Sequence, residues 1–278
     1  MNKTVLKVLD SPILLGTAGW GQKISKSEAY RIVEIFYKNN FRWVDTATNY
    51  PINGKPENYG QTVDWLSEFC NDFPELKVFV KVGSASNLGD SINFVNASYL
   101  ALIFDLLLSK LNSSLGGIGI HWDNENEDSD RTSVINHFLN IHERGFAIGL
   151  SGILRTQNYA TSRMGRNLPW IVQSNISPIR TTRVAEDIAL SRTTFPQAKV
   201  YGYNIFGGIK AIGLPKNKER LPYLYEMIEG STSSNKANEL ELFMNRFVSL
   251  NLDGLIIGPT TEEQCGNWCT IIDRFGLV

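Results

Sequence analysis

The 278-residue sequence is short of the residues that build metal centres and disulfide frameworks, with three cysteines and three histidines. Cys265 and Cys269 are spaced C-x3-C near the C-terminus, and Cys70 stands alone. That pattern offers neither a disulfide scaffold nor four zinc ligands, and it fits free thiols in a reducing compartment. His137 and His142 fall in a helical stretch, which leaves a metal hydrolase without a ligand set. No apolar run reaches 18 residues, so no membrane span is expected, and Met1 to Leu15 lacks a charged-then-apolar signal pattern. The expectation is a cytoplasmic protein. The formal net charge is −1, too little to hold nucleic acid or an anionic membrane. The densest basic cluster is Lys216, Lys218 and Arg220, in a polar stretch.

What is present is core material. Hydrophobic residues make up 42% of the chain, and short β-type apolar runs alternate with longer helical patterns from end to end. The strand runs are Ile13 to Thr17, Phe41 to Asp45, Lys77 to Val82, Gly117 to His121, Phe146 to Ser151, Trp170 to Ser174, Lys199 to Tyr203 and Gly254 to Gly258. Helical patterns lie between them, near 26–39, 57–71, 95–111, 131–144, 156–164 and 183–195, with a last pair bracketing the eighth strand. Eight such units predict one α/β domain over 1–278, a (β/α)8 TIM barrel, with a long loop near 204–236 acting as a lid or an ordered excursion.

In that architecture chemistry gathers where the strands end. Asp45 ends the second strand and Tyr50 lies in its loop. Lys81 interrupts the apolar run Val78 to Val82, and His121 ends the fourth strand. A buried ammonium needs a partner, and Asp45 on the adjacent strand supplies one. The four groups fit carbonyl reduction. Tyr50 can deliver a proton to a developing alkoxide. The charge of Lys81 should lower the phenol's pKa. Asp45 would orient Lys81, and His121 could hydrogen-bond the carbonyl oxygen.

Val44 to Tyr50 reads VDTATNY and resembles the D-T-A-x-x-Y signature of the aldo/keto reductase superfamily. Glu57 and Gly60, the lysine strand VFVKVG and the histidine strand GIHWD follow in that family's order. The resemblance implies an aldo/keto reductase type barrel that reduces an aldehyde or ketone with a nicotinamide cofactor, NADPH with NADH as the second candidate. It places Gly16 and Thr17 at the nicotinamide ribose, Ser151 and Gln173 on the carboxamide, and Tyr203 against the ring. It places Asn204, Ile205, Phe206 and Gly208 along the pyrophosphate. Gly258, Thr260, Thr261 and Gln264 are assigned to adenosine or its 2′-phosphate. Three departures stand out: Gly152 follows Ser151 where an asparagine is common, Thr260 stands where a cation is common, and Pro51 follows Tyr50 where a glycine is common. Trp20, Trp122 and Phe206 could form an apolar substrate wall.

Two other functions fit parts of this pattern. A cofactor-binding regulatory or scaffold subunit would resemble potassium-channel β subunits. A Schiff-base aldolase would use Lys81 as its amine.

Overall fold

In a computed structural model, the chain is described at residues 9, 11–89, 92–123, 131–153, 155–177, 181–205 and 236–277. Eight parallel strands close into a barrel in sequence order. They are β1 (Ile13–Gly16), β2 (Trp43–Ala47), β3 (Lys77–Val82), β4 (Leu115–His121), β5 (Ala147–Ser151), β6 (Ile171–Asn175), β7 (Lys199–Tyr203) and β8 (Gly254–Ile257). The helices are α1 (Lys26–Lys38), α2 (Gln61–Asp72), α3 (Ala97–Leu111), α4 (Thr132–Glu143), α5 (Arg163–Asn167), α6 (Thr181–Thr194), α7 (Lys236–Ser249) and α8 (Glu262–Arg274). The expected (β/α)8 barrel is therefore the fold. Most of the 204–236 stretch lies outside the described residues, so the lid expectation has no structural account.

The helices form where caps and apolar periodicity agree. In α1 the Ser25 side chain accepts from the Glu28 N–H, while the Glu28 carboxylate accepts from the Ser25 N–H. Its buried face is Ala29, Ile32, Val33 and Phe36, a helical spacing. Two expected helices are cut short. The pattern at 57–71 begins as a single 3-10 turn, Pro56–Asn58, because Gly60 takes φ +81 and restarts the chain as α2. The stretch 156–164 is a 3-10 turn, Thr156–Tyr159, followed by the five residues of α5.

Strand alternation sorts the side chains into two cores. Val78, Val80 and Val82 face the helices, with Ile118, Ile120, Ile148 and Leu150 beside them. The alternate residues face the barrel interior, where Leu14, Phe79, Ala147, Ile171, Tyr201 and Ile256 pack together. Phe79 takes the space that inward side chains of β4 and β5 would need. A Cβ built at Gly117, Gly119 or Gly149 would lie 2.8 Å from its ring. Leu9 is fully buried at the opposite end from the site, and its carbonyl accepts from the Lys199 ammonium at 2.9 Å.

Candidate active site

The alternation that buries Phe79 also turns Lys81 inward, two residues further along β3. β2 runs past its expected end to Ala47, so Asp45 is an interior residue of the strand rather than its last. The shift follows the pairing: Asp45 stands opposite Phe79 and Ala47 opposite Lys81. The Lys81 ammonium makes an ion pair with Asp45 Oδ2, both residues being buried. Gln173 Nε2 donates to the other carboxylate oxygen at 2.5 Å. Asp45 thus has both oxygens engaged, which compensates the burial of the charges.

Tyr50 and His121 complete the cluster. The Tyr50 ring meets the His121 ring edge-on, with centroids 5.7 Å apart, and the Lys81 ammonium lies 5.4 Å from the Tyr50 ring centre. Trp122 has φ +57 and lays its indole against the imidazole, with centroids 4.2 Å apart. All four candidate catalytic residues therefore converge at the end of the barrel where the strands terminate.

The electrostatics differ from the sequence expectation at Tyr50. Its phenol is pushed up, not down: burial disfavours the phenolate, and the Asp45 charge opposes it further. Lys81 lies 5.4 Å from the ring centre but is ion-paired with Asp45, whose charge acts on the phenol in the opposite sense. Tyr50 is accordingly a fully protonated donor at neutral pH. Burial, followed by the Lys81 charge, holds the His121 imidazole well below the ordinary histidine range. Its neutral form is the folded form.

That depression sets a pH dependence. Between the folded and unfolded His121 pKa values the unfolded chain binds the extra proton, so stability rises with pH across that window. The contribution is present above an unfolded pKa of about 6.5 and is lost as pH falls below it. Thermal melting at pH 7.5 and pH 5.5 should show a lower midpoint at the acid value, and His121→Gln should reduce that difference. An unchanged difference in the variant would show that His121 titrates normally.

Sequence reasoning missed two supports. Asn49 is fully buried and its Oδ1 lies 3.1 Å from His121 Nδ1. A buried group also holds the root of the β4 loop: Arg131 Nη2 pairs with Asp123 at 2.9 Å, and Tyr159 donates to the same carboxylate at 2.5 Å. Only the aspartate of this group had a signal, as the last residue of GIHWD.

The expected cofactor residues divide. Ser151 is buried beside Gln173, and its hydroxyl makes no hydrogen bond among the described residues. Tyr203 is half-buried against the interior cluster. Gly16 and Gly258 approach each other, a Cβ at Gly258 lying 3.9 Å from the Gly16 carbonyl oxygen. Thr261 caps α8, and the Thr260 N–H donates to Gln264 Oε1 at 2.8 Å. Other residues are occupied elsewhere. The Thr17 hydroxyl is buried, donating to Thr46 Oγ1 at 2.8 Å. Ile205 is buried in the helix-facing core rather than along a groove. Asn204 donates to Asn175 Oδ1 at 3.4 Å. Phe206 and Gly208 lie outside the described residues. Gly152 has its own reason: at φ +66, a Cβ there would meet the Trp122 ring at 2.5 Å.

Of the proposed apolar wall, Trp122 is half-buried at the site. Trp20 is a correction: it is buried in the helix-facing core, with its ring centre 6.1 Å from that of Phe69 on α2. The Ser151 hydroxyl, unengaged among the described residues, the side-chain-free approach of Gly16 and Gly258, and the aromatic Tyr203 together suit a nicotinamide dinucleotide.

Residues 12–140 match the family model described as the aldo/keto reductase family. Enzymes of that family are oxidoreductases that generally use nicotinamide cofactors. No curated protein matches the sequence. Among the described residues no helix is long and apolar enough to cross a membrane. The chain is a (β/α)8 barrel whose residues 12–140 are similar to the aldo/keto reductase family.

Proposed function

We propose that this protein is an NAD(P)H-dependent carbonyl reductase in which Tyr50 protonates the oxygen of an aldehyde or ketone. The observation that carries the reading is the convergence of Tyr50, Lys81, Asp45 and His121 in one buried cluster. A bound nicotinamide supplies the hydride that the carbonyl carbon accepts.

Tyr50 gives its proton to the oxygen as negative charge develops there. An alkoxide is a far stronger base than a phenolate, so even a phenol with a raised pKa delivers its proton downhill. Lys81 lies 5.4 Å from the Tyr50 ring centre, and its ion pair with Asp45 offsets the help its charge would give the phenolate left behind. Asp45 holds Lys81 in place and is itself fixed by Gln173. Ser151 would hold the carboxamide, and Tyr203 would lie against the nicotinamide ring. At the other end Thr260, Thr261 and Gln264 would take adenosine. They offer hydroxyl and amide groups but no cation to a 2′-phosphate, so NADPH is the first candidate on family resemblance and NADH the second.

Fluorescence titration with NADPH and NADH, followed by cofactor consumption against a panel of aldehydes and ketones, tests the reading. Binding of either cofactor with turnover of at least one carbonyl is the expected result. Binding without turnover across the panel would point to the scaffold role. Absence of binding would remove the reductase reading.

A further inference from the structure

Asn49 occupies the second open position of D-T-A-x-x-Y, where the pattern specifies no residue. It is nevertheless fully buried, and both ends of its amide are engaged. One end meets His121 Nδ1 at 3.1 Å through Oδ1. From the other end Nδ2 donates to Ser84 Oγ at 3.1 Å. The Ser84 hydroxyl points onward to the Ser86 carbonyl at 3.5 Å. The three bonds run in one direction. Ser84 donates away from the amide, so it accepts from Nδ2, and Oδ1 must then receive a proton from the imidazole.

We propose that Asn49 is a positioning residue that fixes the tautomer of His121, holding its ring proton on Nδ1 and leaving the lone pair on Nε2. The groups facing the ring agree with a neutral imidazole. Lys81 is a cation within the same cluster, Tyr50 is an uncharged phenol edge-on to the ring, and Trp122 stacks on it. Asp45 is the carboxylate of the cluster, and it is taken up by Lys81 and Gln173. Asp123, two residues beyond His121, is taken up by Arg131 and Tyr159, so among the described residues of the cluster no free carboxylate is left to draw a second proton onto the ring. Burial and the Lys81 charge work the same way.

The consequence deepens the reductase reading and rests on it. A lone pair at Nε2 accepts from a hydroxyl and cannot donate to a carbonyl oxygen. Tyr50 then stands alone as proton donor in the reduction. His121 recognises the alcohol, whose new O–H it accepts, more readily than the carbonyl. This differs from the donor role that the sequence alone assigns to His121.

The tautomer is directly readable in the full chain without cofactor or turnover, so its failure is separable from a failure of the reductase reading. Long-range 1H–15N correlation of the 15N-labelled protein at neutral pH, assigned against His121→Gln, should show a pyrrole-type Nδ1 and a pyridine-type Nε2. In Asn49→Leu the ring proton should move to Nε2, the tautomer a free histidine side chain favours. In Asn49→Asp, whose carboxylate only accepts, the proton should stay on Nδ1 and the His121 titration should move to higher pH. A wild-type pattern with the proton on Nε2, or with both nitrogens protonated, would overturn the proposal. So would a tautomer unchanged by Asn49→Leu. If the leucine variant does not fold, loss of the Nδ1 proton in Asn49→Asp overturns it equally.

Discussion

Tyr50→Phe is expected to lower carbonyl turnover by about 10²–10⁴-fold, the usual contribution of a positioned general acid, while NADPH binding is retained. The argument rests on what phenylalanine keeps. Its ring preserves the edge contact with His121 and the face toward Lys81. Only the proton leaves, so the loss should fall on kcat rather than on cofactor affinity. Because His121 is neutral and held by Asn49, no neighbouring group among the described residues offers an equivalent proton. Stopped-flow cofactor oxidation and fluorescence titration on the same sample separate the two quantities. Wild-type turnover by the variant across the carbonyl panel would end the assignment of Tyr50.

The second large effect is on stability. Asp45→Asn keeps the shape of the side chain but strands the Lys81 ammonium inside the barrel without its counter-charge. Breaking a buried pair from one side costs about 3–5 kcal/mol, because the remaining charge stays desolvated. Urea unfolding should show that loss as a lower midpoint with an unchanged slope. Asp45→Asn combined with Lys81→Met removes both charges and should recover most of the loss. A drop below about 1 kcal/mol in the single variant, the scale of an exposed pair, would contradict the burial described for both partners.

The barrel was legible because two periodicities alternate along the whole chain. Strands such as Val78 to Val82 read clearly, since β-branched residues recur on the helix-facing side. What alternation alone left open was the meaning of the interior positions. Lys81 and Phe79 share a face, but only register shows that Phe79 is matched by Gly117, Gly119 and Gly149. The end of β2 was misplaced by two residues because Thr46 and Ala47 carry no strong strand signal, while pairing with β3 extends the strand through them.

The four catalytic candidates were legible as residues with unusual placement, and three of them by chemistry that burial makes expensive. The supports around them were not. Asn49 looks like an ordinary loop polar residue until the β3 loop brings Ser84 to one end and β4 brings His121 to the other. Trp20 misled for the opposite reason. An aromatic in a glycine-rich turn reads as a pocket wall, but the turn folds back and inserts the ring beside Phe69. The direction of the Tyr50 shift was also out of reach, because the presence of Lys81 is visible in sequence and its neutralisation by Asp45 is a matter of geometry.

Phe79 sits one inward position below Lys81, and the glycines opposite leave it the full width of the channel. The barrel is thereby stoppered with hydrocarbon directly beneath the Lys81–Asp45 ion pair. Protons reaching that pair, or leaving it, must travel through the mouth that admits the substrate. Whatever occupies the mouth then controls the traffic, and the cluster becomes a dead-end well rather than a conduit.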